Sequence, residues 1–502
     1  MSFLKGLTNP RAASMLEHFV NDRSINDRIP DMSYLGDNMT HGSPPEMDDM
    51  MSFFPMNFAS LLDDAFHDFA ANQDMDMLTL DEVPMVPYFS PALAARLEDI
   101  SASLISDLQD LNNELRATDP TYNDPFDIND VTTALSPNNL KRFAANFFRL
   151  SHLHFPIIHL PTFGLQDEPK AFLLVLTIQG AFRCPPLDDV LAARGLLRLA
   201  EEYVFRELHD AVAVRTTGLP SLPTLQILQS ALIIVYLLVI NNSVTSRRQS
   251  RAKRVPELVT AVRYYGLANV RHDQTSDWQE FIYRETCIRV ATWTAVADWH
   301  QCGMFRCSPV VTTMELACNH PCSPELWDAS DATEFSQRIA LEEATMTAVA
   351  KSNHSCIRDF VDTLMSDKWN PRLEFPPGSV SIFDINTICV GECSPRYVPH
   401  NQYSPMPALS AVTIAADIMS LLPSSAPAIL RALARWQELW DQITKTMDSE
   451  ALRKAGMAAY GSEMCVLQRK IVEARLGGSQ HPYFQKVGHE SLAELYSLVL
   501  QC

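Results

Sequence analysis

Ten consecutive residues, Ala231–Ile240 (ALIIVYLLVI), carry no charge and no strongly polar side chain. The run is shorter than the ~20 apolar residues that cross a bilayer, so burial inside protein is its expected fate. A segment apolar on every face needs packing partners on every face. The rest of the chain is suited to supply them as helices. From about residue 92 onward apolar residues recur three and four apart, while alternation of period two is rare and no βαβ rhythm is present. Only 16 glycines occur in 502 residues. The expected fold class is therefore all-α: a multi-helix body.

The spacing predicts a first amphipathic helix from about Pro91 through Leu97, Ile100, Leu104, Leu108, Leu111 and Leu115, then a linker rich in Pro and Asp, TDPTYNDPFDINDV. Further helices are predicted over about 138–150, 169–182, 188–214, 223–240, 250–268, 277–301, 332–351 and 354–366. A Pro-rich, irregular stretch follows over 367–405, then helices over about 406–421, 425–447, 449–474 and 488–500. The domain expectation is 1–90 as a disordered segment, 91–137 as helix and linker, 138–366 as the main body, 367–405 as a connection and 406–502 as a C-terminal helical region.

Charge is distributed unevenly. The net charge is −20, and no Lys or Arg occurs between Ile29 and Ala95, a span holding 12 acidic residues. Acids interleaved with Met, Phe and Leu stay solvated and leave the apolar side chains available to partners. Phe58, Leu61, Leu62, Phe66 and Phe69 recur at helical spacing within this span. They are the candidate activation segment, either folding into a partner's groove or docking on the chain's own body. So acidic a chain is poorly suited to non-specific binding of nucleic acid. The N-terminus lacks the apolar core of a secretory signal, and the eleven cysteines fall in no Cys-x-x-Cys pair, which fits free thiols in a soluble intracellular protein.

Catalytic and cofactor signatures are missing. The chain contains no G-x-G-x-x-G, no G-x-x-x-x-G-K-[ST], no G-x-S-x-G and no H-E-x-x-H. His152, His154 and His159 are the first metal candidate, but two prolines bend their segment and no carboxylate lies beside them. Cys302, Cys307, Cys318, His320 and Cys322 are the second, at spacings unlike a structural zinc site. Core packing is the expectation for both, with no catalytic residue, no metal and no cofactor. The dense basic run RRQSRAKR places Arg247, Arg248, Arg251, Lys253 and Arg254 together, either as a solvated helix start or as a nuclear import signal. It lacks the interleaved aromatics of a nucleic-acid surface.

The segment FFRLSHLHFPIIHLPTF, with Phe147, Phe148, His152, Phe155, Pro156, Ile157, Ile158, His159, Pro161, Thr162 and Phe163, resembles the opening signature of the fungal-specific transcription factor domain, the middle homology region of fungal zinc-finger regulators. Three later pieces are similar to the same domain in the same order. They are TLQILQSALIIVYLLV from Thr224, the segment carrying Trp278, Glu285, Arg289, Trp293 and Asp298, and the closing piece with Pro321, Cys322, Leu326, Trp327 and Ala329. His320 stands where the closing motif has its first Leu. The likeness covers roughly 140–335.

The resemblance implies a transcription regulator located in the nucleus. The paired zinc fingers that accompany this domain have no counterpart here, since the first 140 residues contain no cysteine. Direct DNA binding is accordingly not expected from these residues. The expected partners are the transcription machinery or a DNA-binding partner regulator, with homo- or heterodimer formation left open and no membrane involved. A biosynthetic gene cluster is a candidate target. Two alternatives stay open: a zinc-finger factor whose DNA-binding part lies upstream of this sequence, and an all-α metabolic enzyme with an apolar pocket.

Overall fold

A computed structural model describes Leu4, Lys5 and Thr8 and, between 91 and 501, every residue except 153–154, 165–167, 185, 215–217, 242, 273–276, 323, 346–355, 371–405, 446 and 448–460. The candidate activation residues Phe58, Leu61, Leu62, Phe66 and Phe69 lie outside the described residues, as does nearly all of the predicted irregular connection.

The apolar period of the first predicted helix becomes α1 (Pro91–Thr118), which buries Leu97, Leu104, Leu108 and Leu115. The predicted linker that follows holds a short helix, α2 (Ile128–Ala134), started where the Asp127 carboxylate accepts from the Asn129 N–H. Ser136 caps α3 (Pro137–Asn146) in the same way through the Asn139 N–H. The helix then widens into a π turn at Phe147–Ser151 instead of continuing as α. α4 (Lys170–Ala181) is buried on nearly every face. It crosses α3 so closely at Gly180 that an added Cβ would sit 1.9 Å from the Phe143 carbonyl oxygen.

The single helix expected over 188–214 is two: α5 (Asp188–Gly195) and α6 (Leu197–Ala213), divided just after Gly195. Glycine is a poor helix former, and the helix breaks at the next residue, Leu196. The apolar run lies in α7 (Leu222–Ile240), a 19-residue helix capped by Ser221. Among the described residues α7 is the one helix long and apolar enough to cross a membrane, yet 78% of its most apolar window is buried within the protein. Its polar groups are satisfied there: Gln229 Nε2 donates to the Ile157 carbonyl at 2.5 Å, and Ser230 Oγ to the Gln226 carbonyl at 2.7 Å.

The basic run forms α8 (Val244–Gln249) and a π turn at Ser250–Arg254, and leads into α9 (Val255–Tyr264), so helical structure starts earlier here than the spacing predicts. α10 (Trp278–Phe305) is a 28-residue spine of the core, opened by Asp277 and buried along most of its length. It ends at Arg306, a non-glycine residue in the left-handed region at φ 47°. Short α11 (Pro324–Trp327), α12 (Ala332–Thr345) and α13 (Ile357–Met365) follow.

The C-terminal helices are α14 (Met406–Ile418), α15 (Leu422–Thr444), α16 (Gly461–Leu476), α17 (Pro482–Gln485) and α18 (Ala493–Leu500). α10 packs on α7 toward the N-terminal side and on α14 toward the C-terminal side. All of these helices belong to one compact unit. The fold is all-α, and no β-strand forms among the described residues.

Candidate functional site

The π turn after α3 turns the Phe-rich segment inward. The rings of Phe147 and Phe148 meet edge-on at 5.1 Å, and Phe148 lies 4.7 Å from Phe163. His152 packs on both, 5.4 Å from Phe148 and 6.2 Å from Phe147. Phe155 stacks on Tyr236 of α7 at 5.1 Å and meets Trp293 of α10 edge-on at 5.2 Å. His159 sits between Trp278 and Trp327 at 5.8 and 5.0 Å, with Nδ1 2.9 Å from Thr162 Oγ1. His154 lies outside the described residues.

Burial, with the positive charge of Arg289 adding to it, pushes both His152 and His159 down to about 3. Both imidazoles are therefore neutral packing pieces at physiological pH. Among the described residues no three His, Cys, Asp or Glu side chains gather as a metal site. The cysteine-rich stretch does not converge on one point: Cys302 donates to the Asp298 carbonyl within α10 and lies beside Cys307, while the His320 ring faces Phe360 at 6.4 Å.

At the centre of these segments lies a fully buried ion pair. Arg289 Nε is 2.6 Å from Glu285 Oε1, one turn apart on α10, and both side chains are 0% exposed. The pair also reaches the opening and closing motif pieces and His272. Arg289 Nη1 donates to the Pro156 carbonyl at 2.9 Å, and Nη2 to the Cys322 carbonyl at 3.2 Å. The Cys322 N–H donates back to Glu285 Oε1 at 2.9 Å. The second carboxylate oxygen lies 2.8 Å from His272 Nε2. The guanidinium rests on the Trp327 ring, 4.1 Å from its centroid. Burial alone would raise the Glu285 pKa, but Arg289, His272 and the Cys322 N–H together hold it below the ordinary carboxylate range. The opening signature, the middle segment and the closing piece are thus clasped through one charged core, and α7 joins by way of Gln229 on Ile157.

Asp298, nine residues beyond Arg289 on α10, holds the loop after that helix. Its Oδ2 accepts from the Val310 and Val311 N–H groups at 2.7 and 2.8 Å, and Trp299 Nε1 donates to the Val311 carbonyl at 2.7 Å. Burial raises the Asp298 pKa to about 7 against the opposing effect of those two N–H groups.

The basic run is divided between core and surface. Arg254 is buried, with ion pairs to Glu201, Glu202 and Glu257 at 2.5, 2.6 and 2.9 Å and its guanidinium 4.6 Å from the Phe205 centroid. Arg247 is buried beneath the Phe305 ring at 5.5 Å, and desolvation brings its pKa down to about 10. Arg251 donates to the His489 carbonyl at 2.9 Å, Arg248 pairs with Glu490 at 2.5 Å, and Lys253 lies 3.6 Å from Glu202. In the folded chain, then, Arg247 and Arg254 are not presented to a receptor, and the exposed members are Arg248 and Lys253 with side chains 59% and 45% accessible.

Another buried cation, Arg306, joins α10 to the C-terminal helices. Arg306 contacts Asp417 Oδ2 at 2.6 Å through Nη2 and 2.9 Å through Nε, while Arg475 reaches Asp417 Oδ1 at 2.6 Å. Arg306 Nη1 also donates to the Lys486 carbonyl at 2.9 Å. Nothing in the local sequence around Arg306 marks this role, because its carboxylate is 111 residues away.

The chain is similar to transcription factor verF of Penicillium polonicum. The two are 26% identical over 174 residues, which is 32% of this chain and 24% of that protein. This chain therefore spans about a quarter of that relative's length. No family model matches the chain, and no solved structure matches it. The all-α architecture and the charged clasp are read from this chain's own residues, independently of the likeness to verF.

Proposed function

We propose that this chain is a nuclear transcription regulator or co-regulator that acts through protein–protein contacts. What carries the reading is the meeting of three resemblance segments around Arg289 and Glu285, with the fourth joined to them through Gln229 and the Ile157 carbonyl. Residues that are scattered over about 150–330 in sequence but share one buried clasp belong to one functional body, and verF, which is similar to this chain, is itself called a transcription factor. In this reading the helical body is a platform and the acidic stretch 29–95, with Phe58, Leu61, Leu62, Phe66 and Phe69, is the contact arm. The transcription machinery or a DNA-binding partner regulator is the partner, either in a heterodimer or beside a second copy, and a biosynthetic gene cluster is the proposed target. Import through the basic run uses Arg248 and Lys253 as folded, and needs local opening to recruit Arg247, Arg251 and Arg254.

A catalytic role draws no support from the histidines, since an imidazole at about 3 is far from the pKa a general acid or base needs near neutrality. The reading is tested by fusing residues 29–95 to a heterologous DNA-binding module. Reporter activation is expected; silence removes the arm from the account. Chromatin occupancy of the tagged full chain tests the regulator itself, with signal at promoters expected and uniform background overturning it. The other reading, a factor whose DNA-reading part lies outside this sequence, is favoured by the 24% coverage of verF, and transcript mapping upstream of Met1 separates the two.

A further inference from the structure

Leu4 and Thr8 lie in a groove formed by the helices of the body, each 1% exposed. The Thr8 N–H and hydroxyl both donate to the Leu4 carbonyl, at 3.0 and 2.7 Å, and close one helical turn. The first N–H groups of a helical turn find no partner inside it. The Leu4 N–H finds one across the groove, donating to Glu463 Oε2 of α16 at 3.1 Å. Trp299 and Met304 of α10, Leu467 of α16 and Leu495 of α18 form the apolar surroundings of Leu4. The fit is close: a cavity of only about 20 Å³ stays open beside the turn, about the room of one water.

We infer that this turn is a reversible latch: the groove is a docking site for the chain's own Leu4–Thr8 segment, and seating it ties residues 9–90 to the body at both ends, since α1 begins at Pro91. A helix that docks in a groove is usually held by several apolar anchors. Among the described residues, Leu4 and the hydrogen bond to Glu463 are what hold this one. Closing a loop as long as residues 9–90 opposes the seating, because closure entropy grows with loop length. So few contacts against so long a loop let the latch open without unfolding the helices beneath it. The span it closes carries all 12 acidic residues of the 29–95 stretch. With the latch open, that stretch is held at one end only and reaches further. This last consequence rests on reading the stretch as a contact arm; the docking itself does not.

The test uses the full chain and a fluorescein-labelled peptide of residues 1–12, read by fluorescence anisotropy. In the wild type the chain's own segment competes for the groove, so weak peptide binding is expected. Leu4→Asp in the chain puts a charge where the leucine sits and vacates the groove, so this variant is expected to bind the peptide at least tenfold more tightly while keeping a cooperative melt. Adding Glu463→Ala to it should weaken the peptide several-fold, and a peptide that itself carries Leu4→Asp should show no saturable binding. Equal peptide affinity for the wild type and Leu4→Asp overturns the inference, as does absence of binding to Leu4→Asp or indifference to Glu463→Ala. Loss of the cooperative melt in Leu4→Asp also overturns it, because that marks the turn as part of the core. A wild type that sediments at twice the mass of Leu4→Asp seats the segment in a second copy and overturns closure within one chain. A silent 29–95 reporter fusion leaves the peptide result, and the latch, standing.

Discussion

Replacing Arg289 by Met removes the cation from a carboxylate that is 0% exposed. Glu285 then keeps only His272 at 2.8 Å and the Cys322 N–H at 2.9 Å. Breaking a buried pair from one side costs about 3–5 kcal/mol. The Pro156 and Cys322 carbonyls also lose their donor, at about 1 kcal/mol each. Because these losses overlap, the expected destabilisation is roughly 5 kcal/mol. Glu285→Leu leaves the guanidinium its carbonyl partners and its seat on Trp327, so roughly 4 kcal/mol is expected. The double variant no longer buries a lone charge. It should cost no more than either single variant, about 4 kcal/mol against the roughly 9 kcal/mol sum, so the two changes are strongly non-additive.

Urea unfolding followed by tryptophan fluorescence measures all three, since Trp293 and Trp327 lie at the clasp and report its loss. A cost below about 1 kcal/mol for Arg289→Met, or strict additivity in the double variant, would refute the claim that this pair organises the core. The circular dichroism of the double variant adds a second reading: helix content should persist, because the apolar packing of α7 and α10 is untouched.

Acid should unfold the body through its histidines. His152 and His159 titrate near 6.5 when unfolded and near about 3 when folded, so below pH 6.5 the unfolded chain binds more protons and stability falls as pH falls. Each contributes about 1.4 kcal/mol per pH unit, or roughly 3–4 kcal/mol for the pair between pH 6.5 and pH 5. Replacing both by Phe should remove that contribution, leaving His300, lowered to about 4, acting in the same sense and Asp298, raised to about 7, in the opposite one, and an unchanged slope in stability-versus-pH unfolding would refute the assignment. Gly180→Ala places a methyl 1.9 Å from the Phe143 carbonyl oxygen and 2.6 Å from its carbon, so α3 and α4 must separate. A loss of about 3 kcal/mol in denaturant unfolding is expected, and a neutral result contradicts the close crossing. Arg306→Met leaves the Asp417 carboxylate with Arg475, itself 39% exposed, and removes the tie to Lys486. A cost of about 3 kcal/mol is expected, with faster protease cleavage after Lys486, and an unchanged cleavage rate would argue that α17 and α18 hold without it.

How far the sequence is legible depends on how far each residue's partners lie along the chain. An apolar residue in a helix has its nearest equivalents three and four positions away, and α1, α4, α7 and α10 accordingly stand where the spacing places them. Where a local choice competes with the period, the sequence reading fails by one element. Asp127 nucleates α2 inside an apparent linker, and Gly195 divides an apparent single helix. Charged residues are harder, because their burial depends on partners that the window never contains. Arg254 reads as one more cation of a basic run, but Glu201 and Glu202 stand more than fifty residues earlier on α6 and draw it into the core. Arg306 looks unremarkable until Asp417 and Arg475 converge on the end of α10. Even Glu285 and Arg289, visible as a pair one turn apart, read locally as a surface bridge of a few tenths of a kcal/mol. Burial converts the same pair into the group on which Pro156 and Cys322 depend. The resemblance segments hold together for that reason: what they share is less an apolar pattern, which many helices offer, than the carbonyl and N–H positions that one buried arginine and one buried glutamate require.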